Sequence, residues 1–151
     1  MERAELRTRL SQLLSEWNDY LRNNPTVSYD DLDPDMVSPN WREFIALAME
    51  AMLAPPYSPD EQKAIELSWA MTNEPEIMKD FAIEHIDKCW GILQYLCLSS
   101  YSDTRWQAYT VLGFIGMHII QMLDVGSGDS NEYCRKIARN QLEGMAALLR
   151  Q

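Results

Sequence analysis

Residues 103–116 read DTRWQAYTVLGFIG. The run opens with an acid suited to capping a helix and with a basic residue. It then turns almost wholly apolar and carries two glycines, Gly113 and Gly116, three positions apart. A glycine inside a helix costs about 1 kcal/mol relative to alanine. A helix that accepts two of them and gives up its polar face is one that neighbours approach closely on nearly every side. With Ala108, these residues predict a central, tightly packed helix, which MHIIQML extends to about Leu123.

Helical spacing continues on both sides of this stretch. Residues 3–23 place Leu6, Leu10, Leu13, Leu14, Trp17, Tyr20 and Leu21 three and four apart, opposite a charged face. Asn23, Asn24 and Pro25 end that helix, because the residue before proline avoids the helical region. Residues 24–38, NPTVSYDDLDPDMVS, form a polar, acidic connector, longer than most linking loops. Ser38 as N-cap and Pro39 in the first turn predict a helix that buries Phe44, Ile45, Leu47, Ala48, Met52 and Leu53. Pro55 and Pro56 stop it. Ser58 and Glu61 make a capping box, with Pro59 between them, for a helix to about Thr72. A further helix runs from Ile77 to about Leu98, in which Gly91 marks a break or a close crossing. Ser102 or Asp103 caps the central helix, and a last helix fills 131–149. No alternating, turn-bounded strand pattern occurs. The expected fold is all-α, a single domain over 1–151 with six or seven helices.

A chain of 151 residues can bury enough surface to fold without a disulfide or a metal. Its 23 acids against 13 bases give a formal net charge of -10. That charge argues against binding nucleic acid phosphates or anionic lipid, and it suits solubility or a basic partner. Cys89, Cys97 and Cys134 are odd in number, widely spaced and set in apolar periodic segments, as buried free thiols are. The N-terminal MERAELRTRL lacks an apolar signal core, and no run of about 20 apolar residues predicts a membrane span. The expected location is cytoplasmic.

Three segments repeat one pattern. KDFAIEHI holds Lys79, Ala82 and Ile86; RWQAYTVL holds Arg105, Ala108 and Leu112; RKIARNQL holds Arg135, Ala138 and Leu142. Each reads base-x-x-Ala-x-x-x-aliphatic after a polar turn, and the middle copy continues into LGFIG. This pattern, over residues 73–150, resembles the HEAT-type helical repeat. In such a reading alanine lets helices approach, the aliphatic residue fills the layer, and the base faces outward near the turn. The resemblance implies a HEAT-like α-superhelix. An irregular up-and-down bundle of long helices would give much the same pattern.

Chemistry-bearing motifs are few. His85 and Cys89 lie four apart, but His118 is on another helix and no further ligand accompanies them, so neither a metal site nor a Cys–His nucleophile is expected. Asp31, Asp33 and Asp35 imitate the start of a calcium loop, yet Met36 stands where its glycine belongs and Arg42 where its bidentate glutamate belongs. No phosphate loop, HExxH or GxSxG is present, and no cofactor is implied. The nine methionines fit core filling at helical spacing. Tyr29, Asp30, Asp31, Asp33, Asp35, Trp41 and Tyr57 combine acids with aromatics and are the expected partner-binding residues. The expected function is a non-enzymatic protein-binding module: an acidic inhibitor or immunity-type protein that neutralises a basic partner such as a toxin. The alternatives are a helical adaptor or chaperone, and an enzyme or lyase-type subunit with HEAT-like repeats, as the resemblance allows.

Overall fold

The computed structural model describes residues 1–25, 40–72, 76–115 and 120–149. Among them every regular element is an α-helix: α1 (Arg3–Asn23), α2 (Trp41–Met52), α3 (Pro59–Met71), α4 (Ile77–Glu84), α5 (Ile86–Leu96), α6 (Ser102–Ile115), α7 (Ile120–Gly126) and α8 (Glu132–Leu149). The described residues form eight helices where six or seven were expected, and one expected helix is seen to divide. Residues 77–98 break at His85, not at Gly91. The His85 N–H still donates to the Phe81 carbonyl, but its φ of -121° and ψ of 36° leave the helical region. The amides of Lys88 and Cys89 then both donate to the His85 carbonyl, which starts α5. Gly91 lies inside α5, where a Cβ would sit 3.8 Å from the Tyr57 ring, an ordinary contact. α6 ends at Ile115 and α7 begins at Ile120 among the described residues. Residues 116–119, with Gly116 and His118, lie outside the described residues.

Local signals set several ends. The capping box forms as expected: the Glu61 N–H donates to Ser58 Oγ at 3.2 Å, and the Ser58 N–H to Glu61 Oε2 at 2.6 Å. The second helix begins at Trp41 with Asn40 at its cap, later than the Ser38–Pro39 signal suggests. Ser38 and Pro39 are outside the described residues. The central helix begins at Ser102, so both expected cap residues, Ser102 and Asp103, are already inside it. Asn131 caps α8 by accepting from the Cys134 N–H at 3.1 Å.

Two helices organise the core. α3 packs against α1, α2, α4, α5 and α6, and it is buried on all sides from Ala64 to Met71. The hydroxyls of Ser68 and Thr72, inside that core, donate back to the carbonyls of Ala64 and Ser68, which satisfies them locally. α6 packs against α3, α4, α5, α7 and α8, and Ala108, Val111 and Leu112 on it are fully buried. At Gly113 an added Cβ would collide with the Gln141 side chain of α8, whose Cγ lies 2.9 Å away. The central helix is thus closely approached, as its composition implies.

The three similar segments bury their alanines alike, although Leu112 is buried and Ile86 and Leu142 only partly so. Ala82, Ala108 and Ala138 are fully buried, and so are Met78, Thr104 and Cys134, the residues just before each base. α4, α6 and α8 carry them in a row, with α6 in contact with both others. Cys89, Cys97 and Cys134 are buried free thiols. No helix among the described residues is long and apolar enough to cross a membrane.

Candidate interaction surface

Tyr29, Asp30, Asp31, Asp33 and Asp35 lie outside the described residues, so the surface is built here from its roots. At the end of α1 the Asn24 side chain donates to the Tyr20 carbonyl at 2.8 Å. Trp17 stacks edge-on against Tyr20 and tilts against Phe44 of α2, at 6.0 and 6.1 Å between ring centroids. These contacts fix where the connector leaves α1 and where it enters α2. Trp41, the first residue of α2, is half-buried against the core with the Arg42 guanidinium 5.3 Å over its ring. It therefore combines a packing role with an exposed, cation-covered edge.

Tyr57 belongs elsewhere. Its hydroxyl donates to the Met52 carbonyl at 2.8 Å, at the far end of α2. The helix between Trp41 and Met52 separates the two aromatics by about 17 Å at 1.5 Å per residue. Burial, aided by Cys89, pushes the Tyr57 phenol up to about 12, so it stays a neutral donor. Trp41 thus starts α2, where the chain leaves the connector, and Tyr57 lies by the other end of that helix.

The bases are mostly spent inside the molecule. Arg3 and Arg7 contact the buried Glu61 at 2.9 and 3.3 Å, and both also donate to the Pro56 carbonyl. Arg9 grips Glu43 with two bonds of 2.7 Å, Arg22 faces Asp19, and Lys79 faces Glu76 and Asp80. Glu2, Glu5, Glu84, Asp87 and Asp124 are exposed, and their carboxylates have no hydrogen-bond or ion-pair partner among the described residues.

Two buried carboxylates organise polar clusters that the sequence does not announce. Glu66, 2% exposed, accepts from Lys63 at 2.8 Å, Tyr95 at 3.0 Å, Ser99 Oγ at 2.6 Å and the Ser100 N–H at 3.3 Å. Burial alone would raise its carboxyl, but the bonds from Lys63, Ser99 and Tyr95 outweigh that and hold it below the usual range. Asp129 accepts a bidentate pair from Arg105 at 2.6 and 2.8 Å, the Tyr109 hydroxyl at 3.0 Å and the Asn131 N–H at 2.8 Å. Its carboxyl too is held low: burial opposes ionisation, and Arg105, Asn131 and Tyr109 prevail. Arg105 therefore does not face outward as the repeat pattern suggests. Its side chain is 12% exposed and bonds Asp129 and the carbonyls of Ser99 and Ser100. The only advance signal was the i, i+3 spacing of Lys63 and Glu66. Both clusters are saturated with internal bonds, the arrangement of a structural clamp.

His85 stacks on Phe81 at 4.5 Å between ring centroids, while Cys89 is buried. No group of three or more potential metal ligands occurs among the described residues. Comparison with protein-family models, curated proteins and solved structures finds no match.

Proposed function

We propose that this chain is a non-enzymatic protein-binding module, an acidic inhibitor or immunity-type protein that holds a basic partner such as a toxin through the connector 24–38 and the helix ends beside it. The observation that carries the reading is the disposition of charge. Seven of the bases are committed to internal carboxylates, while the four aspartates of Asp30–Asp35 join helices whose ends are fixed by Trp17, Phe44 and Trp41. This internal pairing leaves the chain's excess of acid unneutralised, and four of its acids fall in the sequence between those two helix ends. The partner's own charge then speeds encounter, as complementary fields do.

The repeated arginine geometry favours a HEAT-like superhelix over an irregular bundle as the scaffold. Arg105 donates to the carbonyls six and five residues before it, Ser99 and Ser100. Arg135 does the same to Asp129 and Ser130. An irregular bundle gives no reason for this coincidence.

The test replaces Asp30, Asp31, Asp33 and Asp35 by Asn and measures association with the partner captured from the native host. The expected result is slower association with a weaker salt dependence and an unchanged melting temperature, because exposed loop charges contribute little to stability. Unchanged rate and salt response, or an acidic or non-protein partner, would overturn the reading.

A further inference from the structure

The two arginines that hold their turns alike differ in one respect. Arg105 uses Nη1 for the turn carbonyls and Nε with Nη2 for Asp129, which the next turn in the row supplies. Arg135 uses Nη1 for its turn carbonyls in the same way, but its Nε and Nη2 meet no carboxylate among the described residues. Beside Arg135 lie Lys136, without an ion pair, and Arg139, whose guanidinium reaches only the Ser127 carbonyl. With Glu132, Asn140 and Glu143 they line a shallow depression of about 340 Å³ on the outer face of α8. None of these three cations has a carboxylate within ion-pair distance among the described residues, although Glu132 and Glu143 line the same depression. Arg3, Arg7, Arg9, Arg22, Lys63, Lys79 and Arg105 do have one.

We propose that this face docks an aspartate-bearing helix of a partner protein, whose carboxylate takes at Arg135 the place that Asp129 holds at Arg105. The planar guanidinium, already oriented by two carbonyls, offers a second edge suited to bidentate carboxylate recognition. Lys136 and Arg139 extend the positive strip along the helix for further acids. The surface is polar, so recognition is by charge and geometry and falls as salt rises. It lies on a different helix set from the ends that flank the connector: α8 packs on α6 and α7, whereas α1 and α2 pack on α3.

The experiment measures fluorescence anisotropy of a labelled 16-residue alanine-based helical peptide with aspartate at every fourth position, against the same peptide with asparagine. The full chain should bind the aspartate peptide in low salt and lose it by about 0.5 M salt. Arg135→Gln should weaken binding about tenfold or more. Lys136→Glu, at an exposed residue without a partner, should weaken it comparably and leave the melting temperature unchanged. Lys88→Gln, on α5, should have no effect. Equal binding of the asparagine peptide overturns the proposal. So does wild-type affinity in both Arg135→Gln and Lys136→Glu. Tighter binding of a single-stranded oligonucleotide would assign the face to nucleic acid instead. A self-association abolished by Lys136→Glu would assign it to a second copy.

Discussion

Glu66 is a single side chain on which four donors from three parts of the chain converge. Removing its charge leaves those donors short of an acceptor inside the core, and breaking such a buried arrangement costs about 3–5 kcal/mol. Because Lys63 is largely exposed, its share is screened, and Glu66→Gln should cost about 2–3 kcal/mol in chemical denaturation. The pH dependence follows from the sign of the shift. Glu66 and Asp129 are both depressed in the folded chain, so their stabilisation is complete above the unfolded carboxylate values of about 4 and is lost as pH falls through the lower folded values. Wild type should therefore lose stability on acidification below about pH 4.5 more steeply than Glu66→Gln or Asp129→Asn. Parallel curves for all three chains would show that neither carboxylate drives the acid response.

Helix contacts distinguish glycines that look alike in sequence. At Gly126 an added Cβ would stand 2.9 Å from the Ala138 Cβ and 2.9 Å from the Tyr109 ring, so Gly126→Ala should destabilise by about 1–3 kcal/mol through overpacking. At Gly144 nothing lies within 4 Å, so Gly144→Ala should stabilise α8 by up to about 1 kcal/mol. Thermal melts of the two variants should move in opposite directions. The same elements show what the sequence makes legible. The 3–4 spacing of Leu6, Leu10, Leu13, Leu14 and Trp17 places α1 over its observed range, because periodicity reports burial of one face. The capping box of α3 is equally plain, since its hydrogen bonds span only three residues. The break at His85 is not legible. His85 carries no turn residue's signature, and the change of direction serves burial of both Ala82 and Cys89 against distant helices. Nor are the distant partners of the Glu66 and Asp129 carboxylates, which lie 20 to 34 residues away in sequence and meet only through the fold. Of the candidate surface, Trp41 stays beside the connector as its sequence position suggests. Tyr57, only 16 residues further on, is carried to the opposite end of α2 by the helix between them.

At the scale of the whole molecule, α3 and α6 form the junction between the α1–α2 pair and the row of α4, α6 and α8. Hydrogen exchange should be slowest in these two helices and faster in α1, which has a fully solvated face; uniform protection would contradict this division. The three thiols give the junction a further consequence. Burial pushes Cys89 up to about 11, Cys97 to about 12 and Cys134 to about 11, so the nucleophilic thiolate is scarce in the folded chain at neutral pH. The cysteines sit on α5, at its end and on α8, so a single local opening cannot release them all. Alkylation by iodoacetamide that marks all three thiols of one molecule should then report global unfolding, whereas local opening should leave singly or doubly labelled species in mass spectra taken over time. The chain thereby carries its own clock for global unfolding, readable without any added probe group.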